Sequence, residues 1–312
     1  MKKKLLAVVN PISGIGRQKR IETVLKNNLN LDLFDYEVRY TEHRHHGTEI
    51  AREGADKGYD VVVAVGGDGS VNDVIAGLKD TSVNLGIIPC GSGNGLARCL
   101  KIPLLPHLAT RVLNQYNEDT IDTIVINDKH IVASIAGVGF DAYIAKLMQA
   151  AKTRGFAAYL NFILREYPSY KCKDYTFTID GKDESLTRNA WFITFANSNQ
   201  FGYNVAVAPK AKLNDGLIDI SIVDKIPIEH VPITGPLVYA NHFELSQHVE
   251  MFKAHDVMVS GNVDKWVNID GEAENCGKEL HFVNHQNSLK ILTRDTKIPL
   301  IVKNGKKISS KK

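Results

Sequence analysis

Asp68 stands among Gly66, Gly67 and Gly69, between the apolar run Val61–Val65 and a stretch in which Val71, Val74, Ile75 and Leu78 recur at helical spacing. A strand, a glycine bend and a helix start in succession make a site for an anion. Unpaired N–H groups and the positive end of the helix dipole favour negative charge there by about 0.3–1 kcal/mol, and glycines let ligand oxygens reach the backbone. A carboxylate at the same bend would repel a bare phosphate. It makes sense where a divalent cation, or a ribose or substrate hydroxyl, lies between the two. Ser70, with Asp73 three residues on, has the spacing of a capping box. Gly-Asp-Gly alone also reads as a hairpin turn, but the residues after it repeat every 3.6 rather than every 2.

Two further stretches repeat this logic. In LGIIPCGSGNGLARCL a short strand stops at Pro89, and Gly91, Ser92, Gly93, Asn94 and Gly95 precede a second helical pattern carrying Arg98. Ser and Asn among glycines offer donors suited to phosphate and ribose oxygens. In VVNPISGIGRQKR, Asn10, Ser13, Gly14 and Gly16 follow the first strand, with Arg17, Lys19 and Arg20 beyond. Neither GxxxxGK[ST] nor GxGxxG with its distant acidic residue is present, so neither a P-loop nor a dehydrogenase fingerprint is indicated. A second carboxylate group lies in VNIDGEAE, where Asp270 and Glu272 flank Gly271. If the strand continued through them, residues i and i+2 would share a face and address one substrate hydroxyl. NDGLID, Asn214 to Asp219, reads as a hairpin turn before a strand.

These residues need elements to hold them. Strand-like runs at Leu5–Val9, Tyr36–Tyr40, Val61–Val65 and Leu85–Ile88 alternate with helical patterns around Arg17–Asn27, Gly47–Lys57 and Val71–Leu78. That order predicts a doubly wound, mainly parallel α/β sheet, with ligands at the carboxyl ends of its strands. After about residue 126 short strands follow one another at His130–Ala136, Tyr175–Asp180, Ala190–Ala196, Leu217–Val223, Asp256–Ser260, Trp266–Ile269, Glu279–Val283 and Leu289–Leu292. This is the rhythm of an antiparallel β-sandwich, broken by a helical block from Ala142 to Tyr167. The predicted domains are 1–126 and 127–294, with 295–312 returning to the first through a strand at Leu300–Val302.

At 312 residues two domains are the default. The net charge of +3 is too small for a nucleic-acid coat, and four scattered cysteines favour a reducing, cytoplasmic compartment. The start MKKKLLAVVN has too short an apolar run for a signal peptide and reads as a strand. No run reaches the ~20 apolar residues of a membrane span, so bilayer contact would be peripheral, at the inner membrane face.

Taken in order, NPISG, Thr41, GGDGS with Asp73, PCGSGNGLAR, GVGFDA, NSNQFGYNVAVAPKAKLNDGLIDI and DGE resemble the diacylglycerol kinase catalytic domain family of lipid kinases, which includes sphingosine and ceramide kinases. The resemblance spans nearly the whole chain. It implies ATP bound between an α/β domain and a β-rich lipid-binding domain, with Mg²⁺ assisting transfer of the γ-phosphoryl group to a lipid hydroxyl. By this resemblance Gly66, Gly67, Gly69, Ser70, Gly91, Ser92 and Asn94 serve the nucleotide, with Asn10, Gly14 and Thr41 at its other edges. Asp68 holds catalytic Mg²⁺ or an ATP-linked water, and the general base is Asp270 or Glu272. Asp215 is the ligand for a structural Mg²⁺, joined by Asp174.

Ser70, Asp73, Ser92 and Asn94-Gly95 depart from the family's commoner residues while keeping hydroxyl and carboxylate chemistry. GSGNGLA is closer to the sphingosine and ceramide kinase form of the loop, which leaves the lipid open. The block Ala158–Lys171 would line an acyl-chain cleft or rest on a membrane, or be core helix, and the tail KNGKKISSKK suits anionic lipid. His43, His45 and His46 lack the spacing of a metal motif and receive no role. A homodimer is compatible with the sequence but has no support in it. Two other readings compete: a NAD-kinase-like enzyme, which would share GGDG, and a catalytically silent lipid- or nucleotide-binding module.

Overall fold

A computed structural model describes residues 1–12, 20–151, 155–182 and 185–298. The chain opens with β1 (Lys3–Val9), α1 (Ile21–Asn28), β2 (Phe34–Tyr40), α2 (His46–Asp56), β3 (Val61–Gly66), α3 (Asp68–Leu78) and β4 (Asn84–Pro89). β1, β2, β3 and β4 pair in parallel in the order β2-β1-β3-β4. The central strands β3 and β4 are buried along their whole length, as expected for a sheet covered on both faces. The sheet, with α1, α2 and α3, encloses the first apolar core, from Leu5 and Leu6 through Ile50, Val63 and Ile75 to Ile88.

Next come α4 (Gly95–Cys99), α5 (Pro106–Leu113), β5 (Asn117–Ile126), β6 (His130–Val132), β7 (Ile135–Gly139), α6 (Phe140–Ala150), α7 (Phe156–Glu166) and β8 (Lys173–Ile179). The chain continues through β9 (Ser185–Ala190), β10 (Phe192–Ala196), β11 (Ile218–Val223), α8 (Val231–Tyr239), β12 (Val249–Ala254), β13 (Asp256–Gly261), β14 (Trp266–Ile269), β15 (Glu272–Asn275) and β16 (Leu280–Thr293). Six strands form an antiparallel sheet in the order β12-β11-β10-β7-β14-β15, which stacks its apolar face on β8, β13 and β16 around Tyr175, Phe177, Phe195 and Phe282. The rings of Phe195 and Phe282 stack across this layer at 3.7 Å. The predicted parallel sheet followed by an antiparallel sandwich is what is found.

The junction between the halves differs from expectation. Two separate strands were expected at 279–283 and 289–292; they form one long strand, β16, with a register shift between His285 and Leu289. β16 pairs with β13 at one end and with β4 at Ile291 at the other, so a ten-stranded sheet crosses the expected boundary. The chain thus returns to the α/β half within β16, ahead of residue 295. Asp295 continues this return, its N–H donating to Gln115 Oε1 at 2.9 Å. The strand expected at 300–302 and the lysine tail lie outside the described residues. His130–Ala136 divides into β6 and β7, because the backbone at Ala133 and Ser134 turns to bind a side chain described below. β5 and β12 have half-exposed ends rich in polar residues, which masks their alternation in the sequence.

Candidate active site

The carboxyl ends of β1, β2, β3 and β4 lie side by side, and every chemistry-bearing loop of the first half leaves from them. Thr41, after β2, donates its N–H to Val9 O at 2.9 Å. Asn10, after β1, donates its side-chain amide to Ser70 Oγ at 3.2 Å. The loops after β3 and β4 touch glycine on glycine: a Cβ built on Gly91 would stand 2.5 Å from the Gly67 Cα. No other residue type permits that approach. Ser92 is exposed at the rim, while Gly91, Gly93 and Gly95 are buried. Gly14 lies outside the described residues.

α3 begins at Asp68, with Gly67 as its N-cap, one turn earlier than the capping-box spacing suggests. Ser70 is therefore inside the first turn, and its hydroxyl serves Asn10. Asp73 instead faces His45, Oδ1 to Nδ1 at 2.9 Å. The Asp68 carboxylate accepts the N–H of Asn94 at 2.8 Å and of Gly95 at 2.6 Å. It straps the second glycine loop to the first. Burial, with the Asp270 charge adding to it, pushes its pKa up to about 6 against the pull of these donors. Asp68, held where the two glycine loops meet, is a residue that could hold a Mg²⁺ completed by substrate phosphates. Asn94, expected to reach the nucleotide, turns inward: Oδ1 accepts Gly91 N–H at 3.0 Å and Nδ2 donates to Gly91 O at 2.8 Å. At φ 54° it shapes the loop instead.

Asp270 and Glu272 do not share a face. β14 ends at Ile269, and Asp270 (φ 48°) with Gly271 (φ 95°) makes a two-residue turn into β15. Asp270 points back into the fold, where Oδ1 accepts the N–H groups of Ser134 and Ile135 at 3.0 and 2.9 Å. Oδ2 accepts Ala133 N–H at 3.0 Å and Asn72 Nδ2 at 2.8 Å. Four donors fill the four lone-pair positions of a carboxylate. Glu272, on the far side of the turn, lies against the start of α3: a Cβ on Gly69 would meet its Oε1 at 2.2 Å. Burial and the neighbouring Asp73 raise its pKa, while Arg44, 3.8 Å away, lowers it. Of the two candidate bases, Glu272 is the one whose carboxylate lies against the glycine bend, at Gly69.

The turn is held from behind by residues that spacing did not single out. Asn72 on α3 ties Asp270 and Ile131 O together. Asn268 accepts the Gly271 N–H and donates to Asp141 at 2.8 Å, and Asp141 in turn accepts the Tyr159 hydroxyl at 3.0 Å. Asp141 belongs to GVGFDA, and a Cβ on Gly137 would overlap its carboxylate, which explains that glycine. Periodicity could not have found these partners, since Asn72 and Asn268 look like ordinary polar positions of a helix and a strand.

Asp215, expected to hold a structural Mg²⁺, already faces a cation. Lys253 Nζ lies 2.8 Å from Asp215 Oδ2, 3.0 Å from Asp219 and 3.4 Å from Lys210 O. The other Asp215 oxygen accepts Leu217 N–H at 3.3 Å. The turn itself is pinned by the buried Asp122, which accepts Gly216 and Asn287 N–H at 2.7 Å each. With an ammonium at their centre, these oxygens do not fit a second, divalent ion. Asp174 is not part of the group, since its carboxylate takes the Asn189 amide on β9. His43, His46 and Glu49 bring donor atoms within 4.8 Å of one another at the exposed start of α2, but His46 Nδ1 is occupied by Glu42 N–H.

Residues 4–126 match the family described as diacylglycerol kinase catalytic domain, and residues 134–283 match the YegS C-terminal NAD kinase beta sandwich-like domain. The diacylglycerol kinase of Bacillus subtilis is 30% identical over 231 residues, 72% of this chain and 75% of its own. The chain belongs to the diacylglycerol kinase catalytic domain family. A diacylglycerol kinase from Staphylococcus saprophyticus is 27% identical over 94% of this chain and 96% of its own. A crystal structure of a diacylglycerol kinase from Bacillus anthracis superposes with a TM-score of 0.71 at 20% identity, covering 94% of this chain and 97% of that one, which supports the shared fold. In this family member the two matched domains meet at the Asp270–Asn72 contact. No helix among the described residues is long and apolar enough to cross a membrane.

Proposed function

We propose that the chain is an ATP-dependent lipid kinase, transferring the γ-phosphoryl group of ATP to a hydroxyl of diacylglycerol or a related lipid. The observation that carries this reading is that the loops after β1 and β4 meet at the bend between β3 and α3, and that Glu272, from the other domain, lies against this same bend at Gly69. The N-terminus of the eleven-residue α3, with its first-turn amides and its dipole, suits a polyphosphate. Mg²⁺ held by Asp68 together with the phosphates would neutralise their charge.

Phosphoryl transfer asks the protein mainly for alignment and charge neutralisation. Glu272 accepts the proton of the lipid hydroxyl as its oxygen bonds to the γ-phosphorus and the bond to the β,γ-bridging oxygen breaks, releasing ADP. A general base of this kind contributes typically 10²–10⁴-fold. Asp270, saturated by donors, holds the turn and takes no proton. A lipid acceptor agrees with the apolar surface of the second half. α7 packs Phe162 and Ile163 inward yet leaves Leu160 and Leu164 exposed, and the α8 region exposes Ile228, Val231, Ile233, Tyr239 and Leu245. Such side chains suit peripheral contact with a bilayer.

The test is transfer from γ-labelled ATP with Mg²⁺ to a panel of diacylglycerol, ceramide, sphingosine, monoacylglycerol, phosphatidylglycerol and NAD. Label in one of the lipids, lost in Glu272→Gln, is the expected result. Label in NAD, or in none of them, overturns the reading.

A further inference from the structure

The loop between β2 and α2 reaches out of the α/β half and across to β15. At its tip His45 adopts a left-handed backbone, φ 60°, and the side chains of Arg44 and His45 reach Glu274 of β15. Arg44 forms a close ion pair with Glu274 through Nη2, and the same nitrogen stands 3.8 Å from Glu272 Oε2. His45 binds Asp73 on one side and lies 3.9 Å from Glu274 on the other. Among the described residues, the cation that approaches Glu272 is the Arg44 guanidinium, and it belongs to the opposite domain.

We propose that Arg44 is a positioning residue for Glu272, an arm from the α/β domain that fixes this carboxylate against the first turn of α3. The proposal rests on the role given to Glu272 above. Three facts support it. Glu272 is the first residue of β15, directly after the Asp270–Gly271 turn, and its carboxylate lies against the backbone of Gly69, which offers it no side chain. Asp73 from α3 and Glu274 from the same strand both repel Glu272, so without a cation the group would swing into solvent or take up a proton. Arg44 and His45 are the charges that offset this repulsion. Because the pair spans the two halves of the molecule, it also makes the base competent only when the halves sit in this arrangement.

The experiment is a ¹³C-carboxyl titration of Glu272, assigned with Glu272→Gln, in the wild-type chain and in Arg44→Gln, Arg44→Lys and Glu274→Gln. Arg44→Gln should raise the titration midpoint of Glu272, Arg44→Lys should hold it near wild type, and Glu274→Gln should lower it by freeing Arg44 and removing a repelling charge. In kinase assays Arg44→Gln should lose roughly tenfold in kcat/KM at the acid end of the pH profile and little at the alkaline end. An unchanged midpoint in folded Arg44→Gln overturns the proposal. If that variant does not fold, an unchanged or raised midpoint in Glu274→Gln does so. A wild-type chain that phosphorylates no lipid would end the kinase reading while leaving the titration to decide the role of Arg44.

Discussion

Glu272 and Gly69 are in contact across the domain boundary, and the space Glu272 fills is the space a side chain at position 69 would need. Gly69→Ala should therefore push the flexible end of Glu272 away, with a stability change within about 1 kcal/mol because the displaced atoms can swing to solvent. Turnover should fall by roughly 10²-fold, since a misplaced base loses most of its effect. Parallel urea unfolding and steady-state kinetics check both halves of this expectation.

Asp270 should behave in the opposite way. Asp270→Asn keeps the shape but sets an amide N–H₂ against backbone donors, leaving at least one of the Ala133, Ser134 and Ile135 N–H groups unsatisfied. A loss of about 2–4 kcal/mol is expected from a broken buried network. Glu272→Gln should unfold like wild type. Asp68→Ala is not a clean catalytic knockout either, since it orphans the N–H groups of Asn94 and Gly95; reduced stability should accompany its inactivity.

The two carboxyl groups raised to about 6, Asp68 and Asp141, give stability a defined pH dependence. A carboxyl whose pKa is raised on folding binds its proton more tightly in the native state, so stability falls as pH climbs from the ordinary carboxylate range to about 6 and then levels off. Asp141→Asn should flatten this slope. Unfolding midpoints measured between pH 4 and 8 test it, and a midpoint rising between 4 and 6 in the wild type would be inconsistent with burial as the cause.

Lys253 supplies the charge at Asp215 and Asp219. Chelation of divalent ions should leave the thermal midpoint of the nucleotide-free protein unchanged, whereas Lys253→Met should lower it by leaving two carboxylates facing each other. A midpoint that drops on chelation and recovers with Mg²⁺ would show a metal at this turn after all.

Much of this arrangement was legible in the sequence, for reasons particular to each part. Val61–Leu78 declared itself because a fully buried parallel strand, a glycine bend and an amphipathic helix each have a distinct pattern. The order of such units placed the glycine loops on one edge of one sheet. What stayed hidden depends on contacts between distant residues. That Asp270 points inward and Glu272 outward follows from two consecutive positive φ values, which Asp-Gly permits but does not impose. The ammonium at Asp215 comes from Lys253, thirty-eight positions away on β12, and Asn94 spends on its own loop the side-chain amide that suggested a ligand. The continuity of β16 across both halves was obscured by polar residues at its register shift.

The most direct test of the account is single-turnover transfer from γ-labelled ATP to diacylglycerol in vesicles by wild type and Glu272→Gln, with ATP binding measured alongside. The account predicts labelled lipid from wild type and a rate about 10²–10⁴-fold lower in the variant at unchanged ATP affinity. Equal rates in the two proteins, or label that never reaches a lipid hydroxyl, would contradict it.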